Sequence, residues 1–151
     1  MPCCRLKKTL SLFYWNMRGV RNKFSCDQIL NLLSDVDVFV VTETHFGSRS
    51  KSPKGFYLVG RSDPLHSSKP RGGVAIYKKL SAEIETKPFK VNLPDCCVVS
   101  IVNTKILIIA LYIPPQSSQY YNGSYFENFK MYMSHFALPT RSLLSVTLMP
   151  V

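Results

Sequence analysis

Three polar residues each close an apolar, strand-like run. Asn16 follows Leu10-Ser11-Leu12-Phe13-Tyr14-Trp15, and Glu43 follows Val38-Phe39-Val40-Val41-Thr42. Tyr112 follows Ile106-Leu107-Ile108-Ile109-Ala110-Leu111 and leads into Ile113-Pro114-Pro115. Short apolar or β-branched runs bounded by turn residues read as buried strands. In open α/β sheets, ligands collect just beyond the strand ends. An amide, a carboxylate and a phenol at such an edge suit holding a hard divalent cation and a phosphate, because Mg²⁺ prefers oxygen ligands. Taken singly, each residue also has a plain structural explanation. Glu43 can be a strand-terminal carboxylate facing water, Asn16 a turn residue, and Tyr112 a half-buried aromatic leaving its strand.

Other polar residues carry less. Gly72-Gly73 lacks a following helix, so it reads as a turn leading into a strand and not as a phosphate-cradling loop. Glu83 and Glu85 alternate on what reads as a surface strand. Asp35 and Asp37 stand at the wrong end of their strand to join Glu43. His45 lies near Glu43 in sequence but is a lone loop histidine. The five cysteines (Cys3, Cys4, Cys26, Cys96 and Cys97) show no C-x-x-C spacing, and their odd number fits a disulfide framework poorly. Free thiols in a reducing compartment are expected. No spacing of His45, His66 or His135 with the cysteines suits zinc.

The elements that must position the trio follow from the pattern between them. After the first strand comes a polar loop through Gly19 to Lys23. Ser25 is then the expected N-cap of a helix with Ile29, Leu30, Leu32 and Leu33 on its inner side. Asp35 to Asp37 turn into the second strand, which makes a βαβ-like opening and points to α/β layering. Gly55 to Val59 and Val74 to Tyr77 read as strands. Alternation over Ala82 to Thr86 and the apolar Cys97 to Val102 continue the β-rich pattern. Asn103-Thr104 marks a hairpin turn into Lys105 to Tyr112. A helix from about Tyr125 to Leu138 is expected to present Phe126, Phe129, Met133 and Phe136 on one face, ended by Pro139.

The length of 151 residues suits one domain with a real core. No run of apolar residues is long enough for a membrane helix, and the N-terminal stretch lacks a signal-peptide cleavage pattern. The expectation is an intracellular protein, nuclear or cytoplasmic, with no membrane partner and no small-molecule cofactor. The formal charge of +10 favours polyanionic partners, although the same charge also serves solubility.

In order, Trp15-Asn16-Met17-Arg18-Gly19, Val41-Thr42-Glu43-Thr44, Arg71-Gly72-Gly73-Val74-Ala75-Ile76-Tyr77 and Leu111-Tyr112-Ile113-Pro114-Pro115 resemble the endonuclease/exonuclease/phosphatase superfamily. Within it they resemble the apurinic-type endonuclease domain of non-LTR retrotransposons. The resemblance runs from about Thr9 to Leu138. It implies a deoxyribonuclease I-like, four-layer α/β sandwich of two mostly antiparallel sheets flanked by helices. It implies Mg²⁺- or Mn²⁺-dependent hydrolysis of DNA phosphodiester bonds, the target-site nick that primes reverse transcription. Glu43 would then be a metal ligand. Asn16 and Tyr112 would be catalytic, orienting metal or phosphate and contacting the scissile phosphate. Arg18, Lys23 and Arg71 would bind the nucleic-acid backbone. In a complete element the partner is a reverse transcriptase on the same polypeptide. Other phosphoesterases of the superfamily (phosphoinositide phosphatases, sphingomyelinase-like enzymes, deadenylases) share these blocks, and a non-catalytic basic module that binds nucleic acid is the remaining alternative.

The sequence departs from this family after the second helix. A Gly-Asp-Phe-Asn strand and a Ser-Asp-His ending are expected, yet no Asp or Glu follows Glu127. Residues 1–138 thus resemble a C-terminally truncated domain and 139–151 a tail foreign to it. That tail has a specific reading. Gly-Asp-Phe-Asn-Ala-Arg written GGT GAC TTT AAT GCC CGT becomes Val-Thr-Leu-Met-Pro-Val when read one base later, and those are residues Val146 to Val151. A frameshift between about Leu138 and Ser145 is therefore expected, with little or no nicking activity. Loss of part of one sheet should also uncover apolar faces, with Ile106 to Ile109 an aggregation hazard if exposed.

Overall fold

The computed structural model describes residues 9–20, 22–46, 51–62, 72–135 and 143–148, the last of these as backbone. The elements in chain order are β1 (Leu12–Asn16), a 3-10 turn at Lys23–Ser25, α1 (Asp27–Leu32), β2 (Val38–Thr42), β3 (Phe56–Ser62) and β4 (Val74–Lys79). There follow β5 (Thr86–Phe89), β6 (Cys96–Ile101), β7 (Leu107–Tyr112), α2 (Tyr125–His135) and β8 (Leu143–Leu148). One sheet has the order β1-β2-β4-β3 and the other β5-β6-β7-β8. The β1/β2 and β7/β8 pairs are parallel and the remaining pairs antiparallel.

The continuous apolar runs exist because the central strands are covered on both faces, which removes the inside/outside alternation of a half-exposed strand. In β2, Val38 and Val40 point into the seam between the sheets, while Phe39 and Val41 point outward. There Phe24, Ile29 and Leu33 cover them. In β7, Ile108, Ala110 and Tyr112 face the seam, while Leu107, Ile109 and Leu111 lie beneath Tyr125, Phe129 and Met133 of α2. The result is helix, sheet, sheet, helix, the four-layer sandwich expected. Aromatic packing stiffens the first outer layer. Phe39 stacks on Phe13 and Tyr77 at 5.8 and 6.1 Å, and Phe24 meets Tyr77 edge-on at 5.5 Å.

Several local expectations are corrected. Ser25 is not the N-cap of α1; that position is Cys26, and the Ser25 hydroxyl donates to the Asn22 carbonyl. The shift turns Leu32 outward, 61% exposed, whereas Phe24 on the preceding 3-10 turn fills the core. The strand expected over Ala82 to Thr86 lies instead at β5, where Pro88 is tolerated at a sheet edge. Glu83 and Glu85 are exposed, as expected. On α2, Tyr125 takes the buried place assigned to Phe126, which is exposed beneath the Lys130 ammonium. Phe136 and Pro139 lie outside the described residues. Ile106 to Ile109 do not form an open face, because Leu107, Ile108 and Ile109 are buried and β8 pairs along β7. Among the described residues no helix is long and apolar enough to cross a membrane.

Candidate active site at the edge of the two sheets

The parallel β1/β2 ladder ends with Asn16 beside Thr42, which brings the residues at the two strand ends together. Beyond it the chains stay in step. Met17 N–H donates to the Thr42 carbonyl at 3.0 Å, Gly19 N–H to the Glu43 carbonyl at 2.6 Å and Val20 N–H to the Thr44 carbonyl at 3.1 Å. To turn away from the sheet, both segments adopt left-handed backbone, with φ of 46° at Arg18, 91° at Gly19, 51° at Glu43 and 49° at His45. Three of these are not glycine, and such conformations concentrate at functional sites where surrounding bonds hold them.

The side chains converge on the Glu43 carboxylate. Asn16 Oδ1 accepts the Arg18 N–H at 3.2 Å, which leaves its amide nitrogen to donate to Glu43 Oε1 at 3.0 Å. From the opposite sheet, the Tyr112 hydroxyl approaches the same carboxylate closely enough to feel its charge. Burial first, and then the nearby Glu43 charge, raise the Tyr112 pKa above that of an ordinary phenol, so the hydroxyl stays protonated. His45 Nε2 stands 3.8 Å from Glu43 Oε2. Beneath the carboxylate, Tyr14 and Thr42 share a hydroxyl hydrogen bond of 2.7 Å. Burial raises the Tyr14 pKa, the bond to Thr42 lowers it, and the Glu43 charge raises it further. The Thr44 hydroxyl is buried without a hydrogen-bond partner.

The trio Asn16, Glu43 and Tyr112 is therefore one constellation. The candidate phosphate-binding cations divide. Arg18 is exposed beside the site. Lys23 is partly buried, its ammonium donating to the Met17 carbonyl and bracing the loop. Arg71 lies outside the described residues. Asp35 and Asp37 line a cavity of about 430 Å³ with Ser11, Ser34 and Lys79 at the far end of the first sheet, as their place before β2 implied.

Two residues were missed. His45 reads in sequence as a lone loop histidine, yet the turn at Glu43 folds it back toward the carboxylate. Asp95 immediately precedes β6, at the start of a strand and not at the end of an apolar run, so the sequence pattern does not mark it. In an antiparallel pair the residue before one strand lies beside the end of its neighbour: Cys96 pairs with Leu111, so Asp95 adjoins Tyr112. The same geometry sets Gly72-Gly73 beside Glu43, where Gly72 and Gly73 carbonyls accept the His45 and Thr44 N–H groups at 3.0 and 3.2 Å.

The two packed sheets flanked by helices form a deoxyribonuclease I-like fold. No family model matches the sequence, and no curated protein matches it. Among solved structures, the chain is similar to the endonuclease domain of TRAS1, a telomere-specific non-LTR retrotransposon. That match has a TM-score of 0.60 and 15% identity over 91% of this chain and 57% of that one. It also matches the 3′ phosphatase NExo from Neisseria bound to a product DNA hairpin, with TM-score 0.46 and 14% identity over 85% of this chain and 50% of that one. A further match is the NExo 3′-5′ exonuclease from Neisseria meningitidis, with TM-score 0.43 and 14% identity over 83% and 49%. The chain thus spans about half the length of the structures it matches, and the likeness to the TRAS1 domain shows its fold.

Proposed function

We propose that the chain is the first part of a divalent-metal-dependent DNA phosphodiesterase domain of the retrotransposon type, carrying one half of the catalytic site. The observation that supports it most is the Glu43 carboxylate, held by an amide from its own sheet and approached by a phenol from the other. Among the described residues no three His, Cys, Asp or Glu side chains group as a metal cluster. The donor set nonetheless fits Mg²⁺, which is commonly held through one or two carboxylates, waters and substrate phosphates. Glu43 would hold the ion. When bound, it supplies charge stabilisation to the phosphoryl oxygens. Tyr112, protonated and beside the carboxylate, would present its hydroxyl toward a bound phosphate, while Asn16 orients Glu43. The net charge of +10 supports attraction to the DNA backbone.

The 151 residues carry no carboxylate beyond Glu127 to complete the acidic half. β8 runs parallel to β7 with Val146, Thr147 and Leu148 beside Ala110, Leu111 and Tyr112. On the frameshift reading, Thr147 stands where the Asp of the Gly-Asp-Phe-Asn motif would be encoded one base out of frame. Sequencing the underlying DNA should reveal that motif in the neighbouring frame. A protein with the frame restored should nick supercoiled plasmid in Mg²⁺ and lose the activity with Glu43→Gln. The chain as it stands should bind DNA in a salt-dependent manner without nicking it. Failure of the restored protein to cleave would overturn the nuclease reading, and Glu43-dependent nicking by the present chain would overturn its inactivity.

A further inference from the structure

Glu43 and Tyr112 come from different sheets, so keeping their side chains close requires the sheets to hold one separation at this edge. Apolar packing in the seam is non-directional and does not by itself fix that separation. Asp95 supplies directed bonds. It is 9% exposed with a left-handed φ of 52°. Its Oδ1 accepts the Gly73 N–H at 2.5 Å, and its backbone carbonyl accepts the Tyr112 N–H at 3.0 Å. On the other side, the carbonyls of Gly72 and Gly73 hold the two residues that follow Glu43. One hydrogen-bonded chain therefore runs from the Glu43 turn through the glycine pair and Asp95 to Tyr112.

The glycine pair has a specific reason to be glycine. A Cβ on Gly72 would stand 2.9 and 3.0 Å from the two Asp95 carboxylate oxygens, and its φ of 79° already disfavours a side chain. Three left-handed residues, Gly72, Gly73 and Asp95, meet at this one point. A second bond across the seam, from the Ser62 hydroxyl to the Leu93 carbonyl, is longer at 3.5 Å.

We propose that Asp95 is a positioning residue, a clasp between the sheets that sets Glu43 against Tyr112. The inference rests on the reading of these two residues as one site. A double-mutant cycle with Glu43→Ala and Tyr112→Phe, followed by urea denaturation, measures their coupling in the 151-residue chain. Coupling should be present in the wild-type background, lost with Asp95→Ala and retained with Asp95→Asn, which keeps an acceptor for Gly73. Mn²⁺ affinity should fall roughly 10-fold or more with Asp95→Ala, the usual scale for groups that orient a metal ligand, and stay near wild type with Asp95→Asn. A merely structural role would lower stability but leave the coupling and Mn²⁺ affinity intact, and that result overturns the proposal. Should Asp95→Ala fail to fold, Asp95→Glu keeps the charge but moves it by a methylene; coupling unchanged there also overturns it. Mn²⁺ binding indifferent to Glu43→Gln, with coupling still dependent on Asp95, would refute the metal-site reading and leave the clasp standing.

Discussion

Replacing Asp95 with asparagine removes a single titration from a buried place, and the pH dependence of stability should change accordingly. Burial raises the Asp95 pKa from 3.8 to about 6, opposed in part by the Gly73 N–H. The folded state therefore favours the protonated acid. Its stabilising contribution is fully present below the unfolded value near 3.8 and is lost as pH rises through about 6. A difference of some two units at roughly 1.4 kcal/mol each amounts to about 3 kcal/mol, a large share of a typical domain stability of ~5–15 kcal/mol. Asparagine keeps an acceptor for Gly73 but carries no charge at any pH. The stability of Asp95→Asn relative to wild type should thus rise by about 3 kcal/mol between acid conditions and neutral-to-basic ones. Urea titrations followed by the fluorescence of Trp15, the only tryptophan, can measure both proteins across this range. A difference that stays flat with pH, or one in which wild type gains on the variant as pH rises, would refute the reasoning. The second outcome would mean that the Gly73 bond to the charged form outweighs desolvation.

The remaining predictions concern the core, the glycine pair, the site and the thiols. Phe39→Ala should cost about 3–5 kcal/mol in urea denaturation, because the ring is fully buried between Phe13 and Tyr77. Gly72→Ala should destabilise by at least ~1–2 kcal/mol from its left-handed backbone alone, with more from displacing the Asp95 carboxylate; wild-type stability would contradict that geometry. Tyr112→Phe should lower stability through the lost electrostatic contact with Glu43, and this cost should vanish when Glu43 is already alanine. Cys96 and Cys97, whose thiols burial pushes up to about 12, should resist alkylation at pH 8 in the native protein. The exposed Cys26 should react, as mapped by mass spectrometry.

Much of the scaffold was legible because β2, β4, β6 and β7 are buried on both faces and leave uninterrupted apolar runs. The parallel β1/β2 pair followed from the strand-helix-strand opening, and Asn16 and Glu43 came together with it. Helix faces were less legible. Whether Leu32 or Phe24, and Phe126 or Tyr125, points inward depends on where each helix begins, and that is set by backbone turns that the apolar spacing leaves open. β5 was misplaced because Glu83 and Glu85 alternate in exposure without pairing in a ladder. Asp95 was missed for a different reason: its importance comes from antiparallel neighbours, Tyr112 on one side and the glycine pair on the other. Nothing in the local sequence around Pro94-Asp95 carries that information. Gly72-Gly73 read correctly as a turn, but the carboxylate pressed against it could be found only in three dimensions.

The central claim is that Glu43 forms the metal-binding half of a phosphodiesterase site, and Mn²⁺ binding to the 151-residue chain tests it most directly. Electron paramagnetic resonance of free Mn²⁺ during titration should show a site on the wild-type chain. That site should be lost in Glu43→Gln and retained in Glu83→Gln, a control at an exposed carboxylate. Equal Mn²⁺ binding by wild type and Glu43→Gln would contradict the account.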